Sequence, residues 1–397
     1  MKILIANEAL VGGGGVESYL AAVIPALVAR GHRAAVLHLN PAAQQAPLRI
    51  APEDVPAFGV ADAGLDAALA QAAAWQPDVV FAHNMRAMDV ERGLLQHWPV
   101  VKMMHGYAGT CVSGQKMFSV PSRRPCTREF GPACLAVYLP RRCGQWRPGV
   151  MLDQYRTAAA QHALLPRYRA IVVASGHMNR EYARHVPGVP VHTIPLFAPP
   201  AEDVEPAPPA DPPTVLFLGR MTPLKGGDLL VRAVARAQDR LGRSLRLVMA
   251  GVGPSLESWR TLARTCGVDA QFPGWVSGAV RDRLIREAAL LAVPSRWPEP
   301  FGLTGLEAAA RGVPAVAFAV GGITEWLHDG INGILVPDVH ATALGDAVVA
   351  ALADAQRYET LRQGARRVAR EFTLDRHLSH LERVLETAAM IPVAHGT

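Results

Sequence analysis

No stretch of these 397 residues is apolar and uncharged for long enough to cross a bilayer as a helix, so a helical membrane-spanning protein is not expected. The opening run MKILIANEAL is short and interrupted by Asn7 and Glu8, and reads as a buried first strand rather than a secretory signal. The expected compartment is therefore the cytoplasm. No short internal repeat occurs, which argues against a repeat array. Cysteine is scarce, five in all, and no C-x-x-C pair is present, which removes the usual zinc-ribbon and thioredoxin signatures. What is abundant is ordinary globular composition: half of the residues are hydrophobic and 19% are charged. A chain of this length exceeds one core and implies two domains of about 150–200 residues.

The formal net charge of +6 is unevenly spread. Residues 101–150 hold Lys102, Lys116, Arg123, Arg124, Arg128, Arg141, Arg142 and Arg147 against Glu129 alone, so the rest of the chain is close to neutral. Such a patch suits phosphate, acidic lipid or nucleic acid, and equally a solvated face with nothing bound.

Short apolar runs recur along the chain: KILIAN (2–7), AAVLHL (34–39), DVVFAHN (78–84), VVKMMHG (100–106) and AIVVAS (170–175). A second series is TVLFLGR (214–220), LRLVMAG (245–251), AQFPGWV (270–276), LLAVPS (290–295), PAVAFAVGG (314–322) and NGILVPD (332–338). Helix-periodic segments separate many of them, and doubly apolar strands alternating with helices predict parallel sheets covered on both faces. The Pro-rich, acidic stretch 198–213 reads as a linker. The expected domains are 1–197, with a Cys- and Arg-rich insert at 107–150, and 214–373. A final amphipathic helix lies within 374–397, where Leu378, Leu381 and Leu385 share a face; spacing leaves open whether it crosses back to the first domain.

Three segments carry phosphate-type chemistry. Gly12 to Gly15 follow the first strand and open a helix, where backbone N–H groups can approach an anion; a plain tight turn has the same composition. A dinucleotide fingerprint fits poorly, because Glu17 stands where a third glycine belongs and the second strand ends in LHLN without an acid for a ribose. In FLGRMTPLKGG, Arg220 and Lys225 sit at the ends of a loop before a helix, a spacing that suits a diphosphate and also any exposed pair of cations. In PSRWPEPFGLTGLEAAARG, Pro298 and Pro300 hold a loop extended and Gly302 permits close approach to a ligand, before a helix beginning near Leu303 or Thr304. Glu299 and Glu307 flank that start, seven residues between them. Carboxylates accept hydrogen bonds from hydroxyls, so a diphosphate carried between two sugars would use all these groups.

With these motifs in hand, the chain resembles glycosyltransferase family 4, retaining enzymes of the GT-B fold. The Glu–seven residues–Glu spacing, GR…K, AGVGP, FPGWV, GG..E, the N-terminal glycine loop and GHRAAVLHLN carry the resemblance, which covers all but about residues 107–150. It implies an α/β protein of two Rossmann-like parallel-sheet domains facing a central cleft. It also implies a hexosyltransferase that moves a sugar from a nucleotide-sugar donor, UDP-linked or next GDP-linked, to a hydroxyl acceptor in polysaccharide or glycoconjugate synthesis. Carried over, Gly13, Gly14 and Gly15 approach the diphosphate and Gly251 lines the donor site. Arg220 and Lys225 neutralise the leaving group in place of a metal. Glu307 holds the ribose, and Trp275 and Val276 flank the base. Glu299, Phe301, Gly302 and Leu303 hold the donor sugar, and His105 contacts it near the anomeric centre. A strand-end core histidine is the plainer reading of His105. No Asp-x-Asp motif occurs, in keeping with catalysis that needs no metal cofactor.

The departure from the family is Cys111, Cys126, Cys134 and Cys143, four cysteines within 33 residues. A structural four-thiolate zinc site, disulfides or an iron–sulfur cluster, and buried thiols all remain open. The insert follows the fourth apolar strand, where an acceptor would enter, and its arginines suit an anionic acceptor or peripheral contact with a membrane surface. A second reading is a non-catalytic GT-B scaffold whose basic insert binds nucleic acid or a partner. The intact Arg220, Lys225, Glu299 and Glu307 weigh against it, and no nucleic acid is expected.

Overall fold

The computed structural model describes residues 1–12, 14–40, 48–199 and 211–390. It divides into two compact units, one of residues 1–120, 127–194 and the segment from 375, the other of 121–126 and 195–374. Most of the 198–213 stretch expected as a linker lies outside the described residues.

The first unit is built on seven strands: β1 (Lys2–Ala9), β2 (Arg33–Asn40), β3 (Ala57–Gly59), β4 (Val79–Ala82), β5 (Val100–Met104), β6 (Ala170–Val173) and β7 (Val191–Thr193). They form one parallel sheet in the order β7-β6-β5-β4-β1-β2-β3. The strands are apolar throughout because both faces are covered: Ile3, Leu4, Ile5, Val79, Val80 and Phe81 are all fully buried. The two edge strands β3 and β7 have three residues each, too few to show as apolar runs in the sequence.

The second unit repeats the plan with β8 (Thr214–Leu218), β9 (Arg246–Ala250), β10 (Asp269–Gly274), β11 (Leu290–Val293), β12 (Ala315–Phe318) and β13 (Gly333–Val336). Their order is β10-β9-β8-β11-β12-β13, again all parallel. In each sheet the chain winds outward from the first strand, then returns to its other side. The winding reverses between β1 and β4 in one unit and between β8 and β11 in the other. The carboxyl ends of the strands at such reversals open a crevice where α/β proteins bind ligands.

The helix Leu374–Ala389 belongs to the first unit. Its buried stripe is His377, Leu378, Leu381, Val384, Leu385 and Ala388. Polar contacts fix its register: Tyr19 Oη lies 2.8 Å from His377 Nε2, while Arg30 binds the carboxylates of Asp375 and Glu382.

Candidate active site

In the second unit two of the predicted donor residues, Lys225 and Glu299, meet at the β8/β11 reversal. Lys225 closes a short 3-10 turn, Pro223–Lys225, and its Nζ lies 2.6 Å from Glu299 Oε1. Ser295 Oγ donates to the same carboxylate oxygen. Glu299 is buried, and its backbone is held as well: Gly322 N donates to Glu299 O at 2.7 Å. Gly321 makes this approach possible; its φ is +60°, and a Cβ there would fall 2.2 Å from Glu299 O.

The scaffold beneath is one that sequence reading missed. Arg296, itself buried, forks onto both oxygens of Asp228 at 2.6 Å and onto Pro223 O at 2.9 Å. One guanidinium thus ties the loop after β11 to the turn that bears Lys225. Burial works to raise the Asp228 pKa, but the Arg296 guanidinium outweighs it and holds that carboxyl below its usual range. The only available signal was an arginine beside the Pro-rich loop, which gives no hint of its partner.

Arg220 is exposed in the loop after β8. Gly251 shapes that loop by packing: with φ +143°, its missing Cβ would lie 1.9 Å from Gly219 O, and its N–H donates to Gly274 O at 2.7 Å. Trp275 stands 56% exposed beside half-buried Val276. An indole face open to solvent suits stacking against a planar base. Glu307 lies in the helix Leu303–Ala309 and carries a partner that the sequence did not suggest: Arg281 meets it with two parallel contacts, one of them 2.8 Å. Phe301 is turned into the core against Phe372, and its carbonyl accepts from Trp326 Nε1 at 2.7 Å. Its ring is therefore committed to packing, and the expectation that Phe301 holds a sugar narrows to its backbone. Gly302, at φ +88°, caps the helix that Leu303 begins.

In the first unit, Gly13 lies outside the described residues. Gly14 caps the helix Gly15–Ala29, and its N–H donates to Glu17 Oε2 at 2.9 Å. The glycines at 12 and 14 leave room for this folded-back side chain, since a Cβ at either would lie within 2.6 Å of Glu17 atoms. Glu17 thus occupies the Gly14 amide offered to an anion, and a phosphate there would have to displace it.

His105 follows β5 and is half-buried. Its Nε2 lies 3.0 Å from Nδ1 of His83, which follows β4 and is fully buried. Burial, together with the charge of Lys102, pushes His105 down to about 3. Lys102 is itself buried, ion-paired with Glu91, and its Nζ donates to His83 O at 2.6 Å.

Among the described residues, no three or more His, Cys, Asp or Glu side chains converge to hold a metal, so the four-thiolate site expected of Cys111, Cys126, Cys134 and Cys143 is not shown. Cys111 Sγ instead accepts from Lys116 N at 3.3 Å, and Cys134 and Cys143 face backbone carbonyls within their own turns. The insert is stapled by the buried pair Lys116–Glu181 at 2.5 Å, with Lys116 Nζ also donating to Thr110 O and Arg128 O. Burial of Lys102 and Lys116 also shrinks the basic patch read from the sequence to its arginines. Arg142 lies over the ring of Trp146, which is 66% exposed.

Two parallel Rossmann-like sheets, each with a winding reversal, match the GT-B class of fold. Whole-chain likeness agrees. Sucrose-phosphate synthase from Thermosynechococcus elongatus superposes with a TM-score of 0.72 at 21% identity, covering 98% of this chain and 100% of that one. HepE from Anabaena, solved with UDP and glucose, gives 0.68 at 19% identity, covering 98% of this chain and 100% of that one. Residues 200–368 match the family described as Glycosyl transferases group 1. A D-inositol 3-phosphate glycosyltransferase of Kribbella flavida is 41% identical over 160 residues, 38% of this chain and 37% of that protein. Its counterpart in Corynebacterium aurimucosum is 32% identical over 221 residues, 54% of this chain and 48% of that protein. The chain thus spans less than half the length of these two curated relatives. No helix among the described residues is long and apolar enough to cross a membrane.

Proposed function

We propose that this chain is a retaining glycosyltransferase that moves a hexose from a UDP-sugar to a hydroxyl acceptor, in polysaccharide or glycoconjugate synthesis. The observation that carries the reading is the cluster Lys225–Glu299–Ser295 at the β8/β11 reversal, with Arg220 and Glu307 on the adjoining loop and helix. A cation and a buried, hydrogen-bonded carboxylate side by side match the two ends of a sugar diphosphate. Lys225 and Arg220 stabilise charge on the leaving phosphate. Glu299 accepts from sugar hydroxyls, Glu307 from the ribose, and Trp275 covers the base. In this reading the bond from the anomeric carbon to the phosphate oxygen breaks, and the acceptor oxygen bonds on the same face. The acceptor proton passes to the departing phosphate. Glu299 is a binding group here, not a nucleophile. The two cations supply what a divalent metal would otherwise supply, so turnover is expected to survive a chelator. The exposed Trp146 and the arginines near it favour an anionic acceptor or peripheral contact with an anionic membrane face.

Calorimetric titration of UDP, GDP, ADP and NAD tests the reading. UDP is expected to bind, and Arg220→Ala to weaken it at least tenfold. A folded protein that binds no nucleoside diphosphate would leave the non-catalytic scaffold in its place. The product anomer, read by NMR from a UDP-sugar reaction, tests retention.

A further inference from the structure

We propose that His83 is a positioning residue whose Nδ1–H donates to His105 Nε2 at 3.0 Å, fixing His105 as the neutral Nδ1–H tautomer, so that this N–H is what the ring offers a sugar hydroxyl. The inference rests on the donor-transfer reading above, which assigns His105 to the transferred sugar.

The contact can be built in two ways with neutral rings. If His105 donates, His83 must carry its own hydrogen on Nε2. That nitrogen is buried and has no hydrogen-bond partner among the described residues. A buried N–H without an acceptor is the rarer and costlier orphan; a bare lone pair is better tolerated. His83 must therefore donate through Nδ1, and Nε2 of His105 must accept. A doubly protonated His83 would again leave an N–H stranded on Nε2. Burial and the neighbouring His105, Lys102 and His377 also hold its pKa well below the usual value.

The surroundings fix the pair in place. The two ring planes lie within 26° of parallel, with their centroids 5.3 Å apart. Phe81 stands edge-on to His83 at 4.3 Å, and Tyr19 lies 5.7 Å away on the helix that follows the glycine loop. Lys102 grips the His83 carbonyl, and Glu91 balances that lysine. With Nε2 of His105 taken, Nδ1 is the ring nitrogen left for a ligand. A ring fixed in this way acts as a hydrogen-bond donor to the sugar rather than as a base.

The test compares wild type with His83→Leu and His83→Asn, near-isosteres of which only the asparagine can donate. Long-range proton–nitrogen NMR of histidine-labelled protein, assigned with His105→Gln, should find His105 protonated on Nδ1. His83→Leu should shift it toward the Nε2–H form, and His83→Asn should keep it. With a UDP-sugar, His83→Leu should lose about 10–100-fold in kcat/KM and His83→Asn should recover most of it, in the range found for partners that orient a functional histidine. UDP affinity should stay within about twofold in both, because the nucleotide groups lie in the second unit. An Nε2–H tautomer in the wild type, or a folded His83→Leu with full turnover, overturns the proposal. An Nδ1–H tautomer in a protein that binds UDP but turns over no UDP-sugar removes the transfer reading, and with it the role of the pair.

Discussion

Lys225 Nζ and Glu299 Oε1 meet at 2.6 Å, within hydrogen-bond reach. Lys225 keeps a quarter of its side chain exposed but Glu299 is buried, so truncating the lysine leaves a buried carboxylate with Ser295 alone and should cost about 1–3 kcal/mol. A larger effect is expected in the reaction. Lys225→Ala should lower kcat/KM for the donor by about a hundredfold, the scale for removing one group that stabilises developing charge. Steady-state kinetics beside urea denaturation check both halves. The histidine pair carries the opposite balance. His105 is held down to about 3 by burial and then by Lys102, so between about pH 6.5 and 3 the unfolded chain binds a proton that the folded chain refuses. Its contribution to stability is therefore whole above pH 6.5 and shrinks as pH falls. Acidification from pH 7 to 5 should remove about 1–2 kcal/mol on this account. His105→Gln should flatten that slope in urea titrations at the two pH values.

At the scale of the element, the sequence announced most of what formed. Each apolar run became a strand, because burial on both faces demands an unbroken hydrophobic stretch. The helix expected near Leu303 begins there because Gly302 alone tolerates the left-handed turn before it. What could not be read were partners distant in sequence: Arg296 with Asp228, Arg281 with Glu307, Lys102 with Glu91, His83 with His105. Nothing in a local pattern says which carboxylate a guanidinium will find across a fold. Nor does nearness in sequence say whether four cysteine sulfurs meet: among the described residues no group of three or more metal-ligating side chains converges. Glycines give the cleanest test at this scale. Gly251→Ala would drive a methyl group to 1.9 Å from Gly219 O, so the loop bearing Arg220 must move. The expected outcome is about 2–4 kcal/mol of lost stability, with weaker UDP binding, read by urea unfolding and calorimetry. In the C-terminal helix, Leu381 is fully buried, and Leu381→Ala should cost about 2–4 kcal/mol while leaving UDP affinity unchanged.

The whole molecule holds two sheets of one plan, yet the chemistry is divided between them by charge. The second unit carries the exposed cation Arg220 and the Lys225–Glu299 pair. The first carries a neutral histidine pair above a buried lysine. A nucleoside diphosphate should therefore stabilise through the second unit's groups, and the effect follows from mass action. At a hundred times its dissociation constant, UDP should add about 2.7 kcal/mol to whichever unfolding transition includes its site. Removing the cation should shrink that gain: a site weakened at least tenfold leaves Arg220→Ala, at the same UDP concentration, an increment of about 1.4 kcal/mol or less. His83→Leu starts from a lower stability but should show the full increment, since its lesion lies in the other unit. Calorimetric scans of the three proteins with and without UDP make the comparison. An increment lost in His83→Leu would mean that the histidine pair helps to hold the nucleotide itself, and would move the donor's contacts beyond the second unit's groups.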